Sequence, residues 1–207
     1  MKRVICLIFA IFISSYMSAA DNDVLLNNHT IMFILGKSNA QYQCSFKEYM
    51  KEYYTIPEQV KGSIYSIDKN KVSGVVREIL NRKLGYYAFR IEQNFGIGNK
   101  QDKIAIVNIT DQFELLNVMQ IQGNDFQISN EDVIGWFKKW DAQFKFRITG
   151  VGIDFIEADI LTEPTNYQKL ATEIYSMCPD VVDQGTDTVE KLAKEMKGNK
   201  TMYFWWD

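Results

Sequence analysis

The chain has 207 residues, 23 lysines and arginines against 26 aspartates and glutamates, a net charge of −3 and a single histidine. That mildly acidic balance argues against a nucleic-acid partner, which would want a basic stripe. With 46% hydrophobic and 14% aromatic residues, the chain is rich enough in apolar side chains to bury a substantial core.

The N-terminus is set apart from the rest. Lys2-Arg3 is followed by an apolar run from Val4 to Ile13, and Ser18-Ala19-Ala20 precedes Asp21. This is the layout of a secretory signal peptide, with cleavage expected after Ala20. The run is shorter than the roughly 20 apolar residues of a spanning helix. The expectation is therefore a periplasmic or secreted protein with no membrane span once residues 1–20 are removed, and one domain over residues 21–207. Cleavage removes Lys2 and Arg3 and no acid, so the mature chain is more acidic. Cys44 and Cys178 remain as a candidate disulfide. Two buried thiols are the alternative.

In chain order, Thr30 to Leu35 is an unbroken apolar run closed by Gly36, which predicts a buried strand. Ser45-x-x-Glu48 has capping-box spacing ahead of Phe46, Tyr49, Met50 and Tyr53, and predicts a helix that breaks by Pro57. Ser63 to Ile67 reads as a second strand. From Val72 to Leu84 the apolar positions Val72, Val75, Val76, Ile79 and Leu80 share one helical face, with Arg77, Glu78, Arg82 and Lys83 on the other. Gly85 stands where a helix C-cap is expected.

Tyr86 to Glu92 and Lys103 to Ile109 predict a hairpin around Asn94 to Asn99. Asp111-x-x-Glu114 caps a short helix through Met119, and Gln120 to Phe126 reads as a polar turn around Gly123-Asn124. Ser129 or Asn130 caps a helix whose Val133, Trp136, Phe137, Trp140 and Phe144 form an apolar stripe suited to core packing. Phe146–Val151 and Ile153–Leu161 predict a strand pair. In the second strand Phe155, Glu157 and Asp159 lie on one face, with Asp154, Ile156, Ala158 and Ile160 on the other.

Thr165 or Asn166 caps the next helix, which the Cys178-Pro179 step stops. Asp187-x-x-Glu190 caps a last helix ended by Gly198, and Thr201 to Trp206 is a terminal aromatic strand. Helices mixed with mainly antiparallel strands define an α+β class, a mainly antiparallel sheet with several amphipathic helices packed on it.

Four segments carry a family resemblance: Gly135-Trp136-Phe137-Lys138-Lys139-Trp140-Asp141, Ile148-Thr149-Gly150-Val151-Gly152-Ile153-Asp154-Phe155-Ile156-Glu157, Cys178-Pro179-Asp180-Val181-Val182-Asp183-Gln184-Gly185-Thr186, and Trp205-Trp206-Asp207. Together they resemble the bacterial domain of unknown function 4253 from about Ile109 to Asp207. That resemblance implies no established activity. Members generally look cytosolic, and this chain departs from them in its leader.

The acids at the C-terminal end form the first candidate site. Asp154 or Glu157 on a strand, Asp180 and Asp183 in the loop, and Asp207 bring carboxylates toward one place. Such a group can bind a hard cation or act as an acid/base pair, which makes Asp180 and Asp183 the catalytic candidates. The structural alternative, which is favoured, is that both aspartates accept from loop and helix-start amides. As a binding surface the candidates are Asp154, Asp180, Asp183, Gln184, Thr186 and Trp206. A Cys178–His29 pair would need two distant segments to meet. With one histidine and two mature cysteines there is no thiolate–histidine set for structural zinc, and no cofactor is implied. The expected function is an exported binding protein with a protein partner, immunity-like or accessory. A hydrolase or lyase using Asp180 and Asp183, with a divalent cation, is the alternative.

Overall fold

The computed structural model describes residues 28–94, 101–121 and 128–206. The expected leader, the tip of the first hairpin, most of the turn around Gly123-Asn124 and the terminal Asp207 lie outside the described residues.

The first element corrects an expectation. Thr30 to Leu35 lies in helix α1 (His29–Lys37), not in a strand. Asn28 caps it by accepting the Ile31 amide at 3.2 Å. Ile31, Ile34 and Leu35 are buried while Phe33 is 69% exposed. The burial has helical spacing, which a continuous apolar run conceals. β1 (Gln41–Ser45) follows, and no strand was expected there because its residues are polar and largely exposed. Ser45 then caps the single-turn α2 (Phe46–Met50).

The chain continues through β2 (Gly62–Ile67), α3 (Val72–Arg82), β3 (Tyr87–Glu92) and β4 (Asp102–Val107). Next come α4 (Gln112–Met119), α5 (Asn130–Asp141), β5 (Phe146–Val151) and β6 (Phe155–Ile160). α6 (Tyr167–Met177), a wide turn of π-helical geometry (Val181–Thr186), α7 (Val189–Asn199) and β7 (Thr201–Trp205) complete it. Asp111, Ser129 and Asn166 cap α4, α5 and α6. For α7 the cap is Thr188, not Asp187. Asp187 has a φ of 65°, so it lies outside the extended geometry an N-cap adopts. Lys83 and Lys200, rather than Gly85 and Gly198, take the left-handed position that ends their helices.

The strands form one sheet in the order β1-β2-β4-β3-β5-β6-β7. Every pairing is antiparallel except β3 with β5, which meet in parallel at Arg90 and Gly150. The fold is α+β with a mainly antiparallel sheet. α5 lays Phe137 and Trp140 against Phe204, with ring centroids 5.1 and 5.9 Å apart, and Phe137 also meets Phe146 at 5.5 Å. Trp206 stacks on Phe204 in turn. Burying each such ring contributes about 3 kcal/mol, so the C-terminal strand belongs to the core. α3 packs across β3, β4 and β5, and α1 leans on α3. Among the described residues no helix is long and apolar enough to cross a membrane.

Candidate functional site

The acidic turn begins where α6 stops. Pro179 follows Cys178, and a residue before proline is pushed out of helical geometry; Cys178 has a φ of −138°. The Pro179 carbonyl then accepts the amides of Val182 and Asp183, each at 2.9 Å, and the Asp187 amide reaches back to Val182 at 2.8 Å. Val181 and Val182 point into the core, so Asp183, Gln184 and Gly185 face solvent. Wide turns of this kind are frequent at functional sites.

The favoured amide-capping role is not seen at the turn itself, where side chains meet both aspartates. Asp180 makes no cap hydrogen bond to the turn. It is 7% exposed and accepts the Gln184 amide group at 3.0 Å. Asp183 accepts the Tyr175 hydroxyl at 3.0 Å. Thr186 donates its hydroxyl to the Thr188 carbonyl at 3.1 Å. Each carboxylate is engaged by a different side chain.

The aromatic tail holds this turn from behind. The Cys178 thiol donates to the Trp205 carbonyl at 2.9 Å, and the Trp206 indole donates to the Met177 carbonyl at 3.3 Å. The Trp206 amide donates to the Asp154 carbonyl at 2.9 Å. Asp154 therefore joins through its main chain, while its side chain is exposed. Gly185 is required by packing, because a Cβ there would sit 2.7 Å from the Trp205 indole.

The two cysteines do not pair. Cys44 lies on β1 and Cys178 binds β7, the opposite edges of the sheet, and both thiols are free. At about 4.8 Å per strand the edges stand roughly 29 Å apart, far outside disulfide reach. Burial pushes the Cys178 thiol up to about 12, so it carries no thiolate at neutral pH. His29 opens α1, which packs on α3.

A second cluster lies on the sheet beside the turn. Arg90, Gly150, Glu157 and Tyr203 stand in register across β3, β5, β6 and β7. Gly150 has no side chain to intervene, and a Cβ there would press on the Glu157 Cβ at 3.1 Å. The Arg90 guanidinium thus reaches past β5 to Glu157 at 2.6 Å, with Asp102 at 3.4 Å. Arg77 grips Asp159 with two hydrogen bonds of 2.7 Å. Arg147 donates to Asn81 at 2.6 Å and stands 3.9 Å from Asp159.

Arg77 therefore reaches the sheet with its guanidinium while 43% of its side chain stays exposed. α3 turns a second stripe, Ser73-Arg77-Asn81, onto the charged strands. Three guanidiniums meet three carboxylates, so the row is internally neutral. Burial pushes the Glu157 carboxyl above its ordinary value, against the opposing pull of Arg90.

An aromatic strip joins the two clusters. Phe155 stacks on Tyr203 at 6.0 Å, and Tyr203 meets Trp205 at 5.6 Å. Tyr203 and Trp205 are half-buried. Burial and the neighbouring Glu157 push the Tyr203 hydroxyl up to about 12. Among the described residues, no group of three or more His, Cys, Asp or Glu side chains is arranged to hold a metal.

The structure thus gathers Asp180, Asp183, Gln184 and Thr186 in one turn with Trp206 behind them. Sequence reasoning missed Arg77, Arg90 and Arg147. Their partners lie 82, 67 and 12 residues along the chain, at Asp159, Glu157 and again Asp159. The visible signal was Gly150 beside a strand that carries two acids.

By fold and site, the molecule is an α+β domain with a row of ion pairs across its sheet and an open turn-and-aromatic surface. Residues 103–207, half of the chain, match the family described as a domain of unknown function (DUF4253), and the chain belongs to that family. No curated protein and no solved structure matches it. The matched segment contains the turn, the strip and the tail, whereas Arg77 and Arg90 precede it.

Proposed function

We propose that this protein acts by binding a protein partner through the turn at Asp180–Thr186 and the aromatic strip beside it. The observation that carries this reading is one continuous surface, in which Asp183 and Gln184 face solvent next to half-buried Trp205 and Tyr203. Tyrosine and tryptophan dominate binding hot spots because they offer large rigid area with a polar handle. Exposed acids on an acidic chain favour a basic or polar segment of the partner. The hydrolase or lyase reading has less support, since Asp180 and Asp183 are occupied by Gln184 and Tyr175. The proposal includes export, with residues 1–20 removed before the protein meets its partner.

A photo-crosslinking residue placed at Gln184 in the producing cell tests the binding reading. A discrete adduct that disappears in Asp183→Lys supports it, and no adduct at Gln184 contradicts it. N-terminal sequencing of the recovered protein tests export. A first residue of Asp21 is expected, and retention of Met1–Ala20 overturns that step.

A further inference from the structure

A groove of about 620 Å³ opens at the other end of the sheet from the acidic turn. It lies where α3 ends, β3 and β5 begin, α4 starts and β6 has just finished. Its apolar walls are Leu80, Tyr86, Tyr87, Phe146 and Leu161, and Leu161 is 54% exposed at the rim. Small-molecule sites typically fall between roughly 300 and 1,000 Å³ and combine apolar walls with a few placed polar groups.

The charged groups lining it are two cations and one acid. Arg147 lines the groove, and its buried Nε has no hydrogen-bond partner among the described residues. Its guanidinium donates once, to Asn81, and lies only loosely against Asp159. Lys83 lines the same groove from the left-handed position after α3. Its ammonium has no ion-pair partner among the described residues. The groove's one acid, Asp111, is already engaged by the Phe113 and Glu114 amides, capping α4 at 2.9 Å. Two cations with donor capacity to spare thus face an apolar trough on a protein of net negative charge.

We infer that this groove is a binding site for a small amphipathic carboxylate, whose anion meets Arg147 and Lys83 while its apolar body lies along Phe146 and Leu161. The site is separate from the turn and strip, so it stands or falls independently of the partner-binding reading.

The test is calorimetric titration at low ionic strength with decanoate and, in parallel, decanol. Decanoate binds at one site at least about tenfold more tightly than decanol. Leu161→Glu, a change at an exposed rim position, lowers decanoate affinity by at least about tenfold. Lys83→Asn keeps a residue that tolerates left-handed geometry and lowers affinity by about threefold or more. Circular dichroism confirms that both variants fold. Failure of decanoate to bind, equal binding of decanoate and decanol, or affinity unchanged in Leu161→Glu overturns the inference.

Discussion

The acidic turn and the charged row lie on the same sheet but are held by opposite means. In the turn Asp183 faces outward while Asp180 is buried, and the fixing is done by main chain and packing: the Pro179 carbonyl, Cys178 on Trp205, and the indole against Gly185. In the row, Arg90 and Glu157 are themselves the fixing, with side chains each 11% exposed. Exposed ion pairs contribute little because water and salt screen them. A buried pair that loses one partner leaves an uncompensated charge, which costs far more than the pair gains. The difference teaches that the residues most conspicuous in the sequence are not the ones on which stability rests.

The largest expected effect breaks the row. Glu157→Leu or Arg90→Met alone costs about 3–5 kcal/mol, while the double variant costs less than the two losses added, with Asp102 still left without Arg90. Urea unfolding of all three measures it. Single losses below about 1 kcal/mol, or simple additivity, would show that the row is not a coupled unit.

A smaller effect sharpens the account of the turn. Gly185→Val drives a side chain into the Trp205 indole and costs about 1–3 kcal/mol. Adding Trp205→Leu makes room and returns part of it. An unchanged melting temperature in Gly185→Val would separate the turn from the tail.

The smallest effect concerns pH. The Trp140 indole donates to Glu173 at 2.7 Å and holds that carboxyl below its ordinary value of 4.5. Its folded value is thus lower than its unfolded one, so the stability it adds is present above about 4.5 and is lost as pH falls through the folded value. Glu173→Gln should cost about 1 kcal/mol at neutral pH and flatten the acid side of the stability profile. Glu157 runs the other way. Burial raises its folded value, so protonating it as pH falls adds stability. An identical acid slope in Glu173→Gln and wild type would refute the assignment.

Much of the second half was legible because its signals are local. The cap at Ser129 or Asn130, which proves to be Ser129, the Phe137–Trp140 stripe and the Cys178-Pro179 stop each lie within one element. α1 was misread because Thr30 to Leu35 is apolar throughout, so nothing in the run distinguishes buried Ile34 from exposed Phe33. β1 was invisible for the opposite reason, being a polar edge strand.

Alternation correctly put Glu157 and Asp159 on one face of β6, yet a polar face does not announce that a helix covers it. Arg77 was assigned to solvent because one amphipathic stripe was sought, while α3 presents two. The candidate site was legible as a turn with a tail behind it. The partners of Asp180 and Asp183 were not, because Gln184 and Tyr175 are reached only once the turn has its wide form.

The central claim is that the tail fixes the turn, and amide hydrogen exchange tests it most directly. In the wild type the amides of Val182, Asp183 and Asp187 should be protected, as their bonds to Pro179 and Val182 require. In Trp205→Ala, with the β6–β7 ladder still protected, their protection should fall by about tenfold or more. Fast exchange of these amides in the wild type, or the same protection in both proteins, would contradict the account.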